Sequence, residues 1–248
     1  MPPPEARFGE ERLLRGGGER AFFRLFGVAD PAHWLHFAYF ERFLGRLGMW
    51  APRRILDAGS GPGDFSLYLG RRFPSAEVLG IEISAARVQH STVAAERLGL
   101  GNVGFEQADL RVLDRVAEFD LVCAIDVLEH IPEQQAVLER LHGALRPGGR
   151  AFLHLPTVRA RPVPFHRQLK EFHRWAEGEH VADDLTPTQF VERVKRVGFL
   201  VDHAIPTFGY WTGELATSLF NLPYRQTARN RIIQAALAPL CRLLALAD

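Results

Sequence analysis

The chain has 248 residues, with 30 lysines and arginines against 29 aspartates and glutamates, a net charge of +1, and 47% hydrophobic residues. That length suits one large α/β domain or two small ones, and the composition excludes a largely disordered, collagenous or coiled-coil protein. The charge balance supplies no overall field toward nucleic acid or anionic membrane, so partners must be recognised locally.

Residues 1–20 are rich in Pro, Gly and Arg and read as a loose arm, because ordering them would bury too little surface to offset the entropy lost. The arm's acids and arginines stand where a secretory leader needs an apolar stretch. From Ala21 to Leu47 apolar and aromatic residues recur at steps of three and four, predicting amphipathic helices. Short apolar runs then alternate with helix-length segments, the pattern of a parallel sheet covered on both faces. The predicted strands are 54–58, 77–82, 103–107, 119–125 and 150–155, with helices near 64–72, 84–98 and 133–145 between them. Ser84 is placed to cap the second helix, and Pro147-Gly148-Gly149 forms the turn that ends the third. Cys123 lies in an apolar run far from Cys241, as free buried thiols do, which makes a reducing cytoplasm the expected compartment.

Residues 157–185 interrupt the alternation with three histidines, four arginines and one lysine. Following a strand's carboxyl end, they read as a lid on the ligand side of the sheet. A helix near 187–197 and a strand near 199–205 resume the pattern. The apolar run beyond Gly213 is expected to be helical. Gln234, Pro239 and Arg242 break it below the about 18 unbroken apolar residues a membrane span needs, although a peripheral membrane contact through this tail stays open. The expected organisation is a flexible arm at 1–20 and one domain over 21–248. Within it the core is 51–157, the insertion 158–185 and a C-terminal helical extension 213–248.

The most informative segment is ILDAGSGPGDFSLYLG at 55–70, in which a strand runs through Gly59, Ser60, Gly61 and Gly63 into a helix. Such a loop lets a ligand approach bare backbone and offers exposed N–H groups and a positive dipole end, although glycines also serve turns. Glu82 ends the next strand 19 residues after Gly63, about the separation at which an acid in a dinucleotide-binding unit meets ribose hydroxyls. These two positions together predict a nucleoside sugar at one rim.

With these features the chain resembles the class I S-adenosylmethionine-dependent methyltransferases, strongly over about 51–157. The run Asp57-x-Gly59-x-Gly61-x-Gly63 matches the D-x-G-x-G-x-G motif at the cofactor's methionine side. Glu82 matches the ribose acid, and Asp109 in QADL the acid at the adenine amine. FDLVCAIDVLEHI matches the fourth-strand motif, where backbone near Ile125 and Asp126 approaches the methionine. The resemblance implies a Rossmann-like, doubly wound, mostly parallel sheet in the order 3-2-1-4-5-7-6, with a helical N-terminal cover. No segment after residue 200 reads as the seventh strand. It also implies S-adenosyl-L-methionine as cofactor, S-adenosyl-L-homocysteine as product, and cofactor contacts from Asp57, Gly59, Ser60, Gly61, Gly63, Glu82, Ile83, Asp109, Leu110 and Asp126. The dinucleotide fingerprint G-x-G-x-x-G fits less well, because the third glycine comes one residue early. Asp64 after it would repel a pyrophosphate yet suit an ammonium.

A sulfonium methyl is already electrophilic, so no metal is expected and alignment is the main task. A base is needed only for an acceptor that must lose a proton. His130 in LEHI and His180 in GEHVADDLTP are the candidates, against the alternatives that His130 caps the next helix and His180 is a solvated surface residue. His154, embedded in AFLHLP, reads as a hydrogen-bonded core histidine. The expected reaction is methyl transfer to a small organic acceptor. A protein or nucleic-acid acceptor is the runner-up, no nucleic-acid partner is expected from the charge, and an oxidoreductase or a non-catalytic nucleoside-binding module stand behind it.

Overall fold

The computed structural model describes residues 31–48, 50–156, 182 and 185–205, with side chains from His36 onward in the first helix. The chain divides into two compact units. One comprises Gly45–Val158 and Val181–Ala204; the other comprises Met1–Leu44, Arg159–His180 and Ile205–Asp248. Of the second, the described part is mostly the helix α1 (Pro31–Arg46), whose buried Phe37, Phe40 and Leu44 repeat at the expected spacing. The predicted arm, nearly all of the insertion and the C-terminal extension lie outside the described residues.

The first unit is a five-stranded parallel sheet in the order β3-β2-β1-β4-β5. Its strands are β1 (Arg54–Ala58), β2 (Glu77–Glu82), β3 (Val103–Gln107), β4 (Phe119–Ile125) and β5 (Leu145–His154). The helices α2 (Asp64–Arg72), α3 (Ala85–Arg97), α4 (Gln134–Ala144) and α5 (Pro187–Val197) alternate with or follow them. Central β1 and β4 are nearly continuous runs of buried residues, which is why no clean polar alternation marks them in sequence. Leu56, Ile81, Phe119, Val122, Val137, Leu138 and Leu141 join in one core cluster, and each such side chain withdrawn from water contributes about 1.5–3 kcal/mol. Caps fix the helix starts: Ser84 Oγ accepts from Arg87 N–H, and Thr186 with Gln189 forms a reciprocal capping box on α5.

Polar pins hold the amino-terminal edge of the sheet. The Asp120 carboxylate accepts from the N–H groups of Arg53 and Arg54 and from Arg146 Nη1, at 2.8, 2.9 and 2.9 Å. Burial works against its charge, but these donors hold the carboxyl below its ordinary range. The Asn102 amide donates to the carbonyls of Gly70, Phe73 and Ala76, closing the turn between α2 and β2.

Two expectations need correction. β5 begins at Leu145 rather than 150: Leu145 lies opposite Phe119 and Arg150 opposite Leu121, so Arg146–Gly149 loop out as a bulge. The predicted turn sits inside the strand, not before it. The predicted strand near 199–205 is not in the sheet. Phe199 and Val201 pack on the core and Leu200 is 94% exposed, so the side-chain alternation is present, but β5 is the last strand in the described order and no further strand pairs beside it. A strand needs a ladder as well as a pattern. No sixth or seventh strand occurs among the described residues.

Candidate functional site

The carboxyl ends of the strands gather the residues singled out in sequence. Where β1 ends, the N–H groups of Gly59 and Ser60 both donate to Ile81 O at 2.8 Å, fastening the glycine loop to β2. Gly61 N–H donates to Glu82 Oε2 at 3.1 Å, and Ser84 N–H to Glu82 Oε1 at 3.0 Å. The loop and the acid therefore share one rim, and the 6% exposed Glu82 knits it internally. Gly59 has φ +76, and a Cβ there would lie 2.3 Å from Val127 Cγ2, so only glycine lets the β1 and β4 loops meet. Gly61, at φ +53, differs: a Cβ there meets nothing within 4 Å, leaving open space beside the carboxylate. Ser60 Oγ is buried with no hydrogen-bond partner among the described residues. Gly63 N-caps α2. Next to Glu82, Ile83 is 61% exposed, an apolar side chain at the rim.

Across β3, Ala108 N–H donates to Glu82 O, which brings Asp109 to the same edge. Asp109 caps a short 3-10 turn, Leu110–Val112, in which Leu110 is buried. Arg111 grips its carboxylate through the backbone N–H, Nε and Nη2 at 2.7–3.1 Å, and these bonds hold it below its ordinary range. After β4, Asp126 takes the left-handed φ of +51. Its Oδ1 lies 2.7 Å from His154 Nδ1. His154 is hydrogen-bonded as expected, but it stands at the end of β5 on the ligand edge rather than in the core. Its register opposite Ile125, one residue before Asp126, places it there. His130 closes the 3-10 turn Leu128–His130 and does not cap α4, whose N-cap is Glu133. Its Nε2 is 3.9 Å from Glu129 Oε1.

Two buried acids hold their protons more tightly than usual. Asp57 is 2% exposed and accepts from Ser66 Oγ at 2.5 Å. Burial pushes it up to about 6, against the lowering effect of the Ser66 bonds and with help from the Asp64 and Glu82 charges. Glu129 was passed over in sequence in favour of its neighbour His130. Burial and then the Asp126 carboxylate push it up to about 8, and its Oε2 has no hydrogen-bond partner among the described residues. Its backbone carbonyl accepts from Ala182 N–H, tying the end of the predicted insertion to this loop. His180 lies outside the described residues.

A methyltransferase-domain family matches residues 31–204. The chain belongs to this family. Its class is the class I S-adenosylmethionine-dependent methyltransferases, as the sheet order and the glycine loop also indicate. Trans-aconitate 2-methyltransferase of Methylobacterium nodulans is 36% identical over 147 residues, covering 57% of this chain and 54% of that protein. The enzyme of the same name from Methylobacterium radiotolerans is 34% identical over 127 residues, covering 51% and 46%. The chain thus spans about half the length of these curated relatives. Among solved structures, the [4+2]-cyclase SpnF aligns with a TM-score of 0.61 at 20% identity, covering 83% of this chain and 75% of that one. A phosphoethanolamine N-methyltransferase from Haemonchus contortus aligns at 0.62 and 18%, covering 87% and 53%. These two likenesses show the fold alone.

The residues of this methyltransferase domain fit S-adenosylmethionine, the cofactor of its class. The open space at Gly61, the orphaned Ser60 hydroxyl and the exposed Ile83 are features that a bound adenosyl group and its amino-acid tail would satisfy. No described helix is long and apolar enough to cross a membrane.

Proposed function

We propose that the chain transfers the methyl group of S-adenosylmethionine to a small organic acceptor by direct displacement. The observation that carries this reading is the 3.1 Å hydrogen bond from Gly61 N–H to Glu82, which joins the glycine loop and the sugar acid in one rim. In this reading Glu82 receives the ribose hydroxyls on its remaining lone pairs, Ile83 and Leu110 flank the base, and Asp109, oriented by Arg111, accepts from the adenine amine. Asp57, Ser60, Gly61, Gly63 and the backbone at Asp126 hold the amino-acid end. When bound, the cofactor supplies a methyl carbon already electrophilic on its sulfonium. The protein's work is to align an acceptor behind that carbon and to exclude water. The curated relatives act, by their names, on trans-aconitate, which makes it the first acceptor to try.

Calorimetry tests the cofactor assignment: S-adenosylhomocysteine should bind with a Kd of about 1 μM and NADH should not. The opposite preference removes the reading. Label transfer from a methyl-labelled donor into trans-aconitate and into pooled metabolites then identifies the acceptor.

A further inference from the structure

The ends of β4 and β5 carry a paired acid and imidazole for which the cofactor contacts above require no side-chain chemistry. Asp126 N–H donates to His154 O at 3.0 Å, one rung beyond the Ile125–His154 register, and the two side chains meet at 2.7 Å. The pair is thus tied through both backbone and side chains. Asp126 adopts a φ that side-chain-bearing residues avoid, at a cost of about 1 kcal/mol or more, and such strain concentrates at functional sites. The His154 side chain is 10% exposed and that of Asp126 32%.

Position adds to this. Val127, next to Asp126, abuts Gly59 of the cofactor loop. β4 lies between β1 and β5, and strands are spaced about 4.8 Å apart. The imidazole therefore stands about 10 Å across the same edge from the glycine loop, on the side away from the ribose acid of β2. A carboxylate can only accept, so against an ionised Asp126 a neutral ring would carry its proton on Nδ1 and leave the lone pair on Nε2. The His130 side chain, by comparison, is 39% exposed.

We propose that His154, oriented by Asp126, is the base that takes the acceptor's proton, and that the acceptor is accordingly an acidic hydroxyl, phenolic or enolic, rather than a carboxylate. This rests on the methyltransferase reading above and, within its small organic acceptors, favours a hydroxyl over the carboxylates of trans-aconitate. A carboxylate is already ionised near neutrality and gives this pair nothing to remove. A phenol, near 10 in a free tyrosine, comes within an imidazole's reach once its oxygen begins to bond to carbon. In the step, the acceptor O–H bond breaks and its proton passes to Nε2. The acceptor oxygen forms the new bond to the methyl carbon, and the electron pair of the broken C–S bond stays on sulfur. Asp126 stabilises the imidazolium that results, and solvent removes the proton afterwards.

The test uses the full chain and two readouts. The first is 15N NMR of imidazole-labelled protein saturated with S-adenosylhomocysteine, with His154 assigned by difference from H154N. A neutral ring protonated at Nδ1, shifting toward the Nε2–H form in D126N, is expected. A wild-type ring protonated at Nε2, or one indifferent to D126N, overturns the proposal. The second is label transfer from methyl-labelled S-adenosylmethionine to catechol and to trans-aconitate. Catechol should be the acceptor, with kcat about 100-fold lower in H154N at unchanged KM and unchanged S-adenosylhomocysteine affinity. H154N keeps an amide N–H to bond Asp126, so a purely structural role would leave kcat within about twofold, and that result overturns the proposal. Methylation of trans-aconitate but not catechol does the same. If neither acceptor is labelled, the tautomer decides. Failure to bind S-adenosylhomocysteine removes the methyltransferase reading and this inference with it, whereas binding with the wrong tautomer removes this inference alone.

Discussion

Replacing Asp57 by Asn should make the protein more stable at neutral pH and worse at holding its cofactor. Asp57 is 2% exposed and its carboxyl is raised from 3.8 to about 6, mainly by burial. A carboxyl that holds its proton more tightly in the folded chain than in the unfolded one lowers stability as pH rises through that interval. The penalty is absent below about 4 and complete above about 6. At ~1.36 kcal/mol per pH unit the gap amounts to ~3 kcal/mol, an upper figure for a carboxyl this deeply placed. Asn removes the ionisation but introduces amide hydrogens that Ser66 can only partly receive, which gives back about 1–2 kcal/mol. D57N should therefore gain about 1–2 kcal/mol at pH 7.5 and match or fall below wild type at pH 4.5. Urea denaturation of both proteins at pH 4.5, 6 and 7.5 measures this, and calorimetry with S-adenosylhomocysteine should show affinity reduced at least about tenfold. If the stability difference is the same at all three pH values, the reasoning from burial is wrong.

Gly61→Ala should cost only ~1 kcal/mol of stability, from its positive φ, yet weaken S-adenosylhomocysteine binding more than about tenfold because the new methyl enters the open space. Gly59→Ala should cost about 3 kcal/mol against Val127 and be partly rescued by Val127→Ala; equal melting temperatures for the two alanine variants would contradict this contrast. Glu82→Ala leaves the N–H groups of Gly61 and Ser84 without their acceptor, so calorimetry should show cofactor affinity lower by about 2–3 kcal/mol, and an unchanged Kd would mean the sugar lies elsewhere. Glu129 is raised from 4.5 to about 8, so wild type loses stability as pH climbs between those values. Glu129→Gln should gain ~2 kcal/mol over wild type by pH 8.5 and nothing near pH 4.5, and thermal melts across that range would expose any departure.

The strands at 54–58, 77–82, 103–107 and 119–125 could be bounded from sequence because buried parallel strands write themselves as short apolar runs between helix caps and glycine turns. β5 was displaced because Pro147-Gly148-Gly149 carries a turn signal whether it precedes a strand or bulges from one. Residues 199–205 misled for the opposite reason: Phe199, Leu200 and Val201 alternate as a strand does, but pairing depends on a neighbouring edge that local pattern does not encode. At the site, Gly61 and Glu82 were legible together because a fixed separation along the chain reflects a fixed geometry. His154 was not, because its meaning comes from Asp126, 28 residues earlier, and an apolar context disguises a histidine at a strand's last position. Glu129 was hidden similarly, since burial rather than spacing gives it its character.

The polar pins at Asp120 and Asn102 secure the edge where the strands begin, while the described residues of the candidate site stand where the strands finish. Scaffolding and chemistry are therefore segregated to opposite poles of the sheet. A tether or affinity handle placed at the turn near Gly101 would load the pole that scaffolds the sheet rather than the one that carries its chemistry.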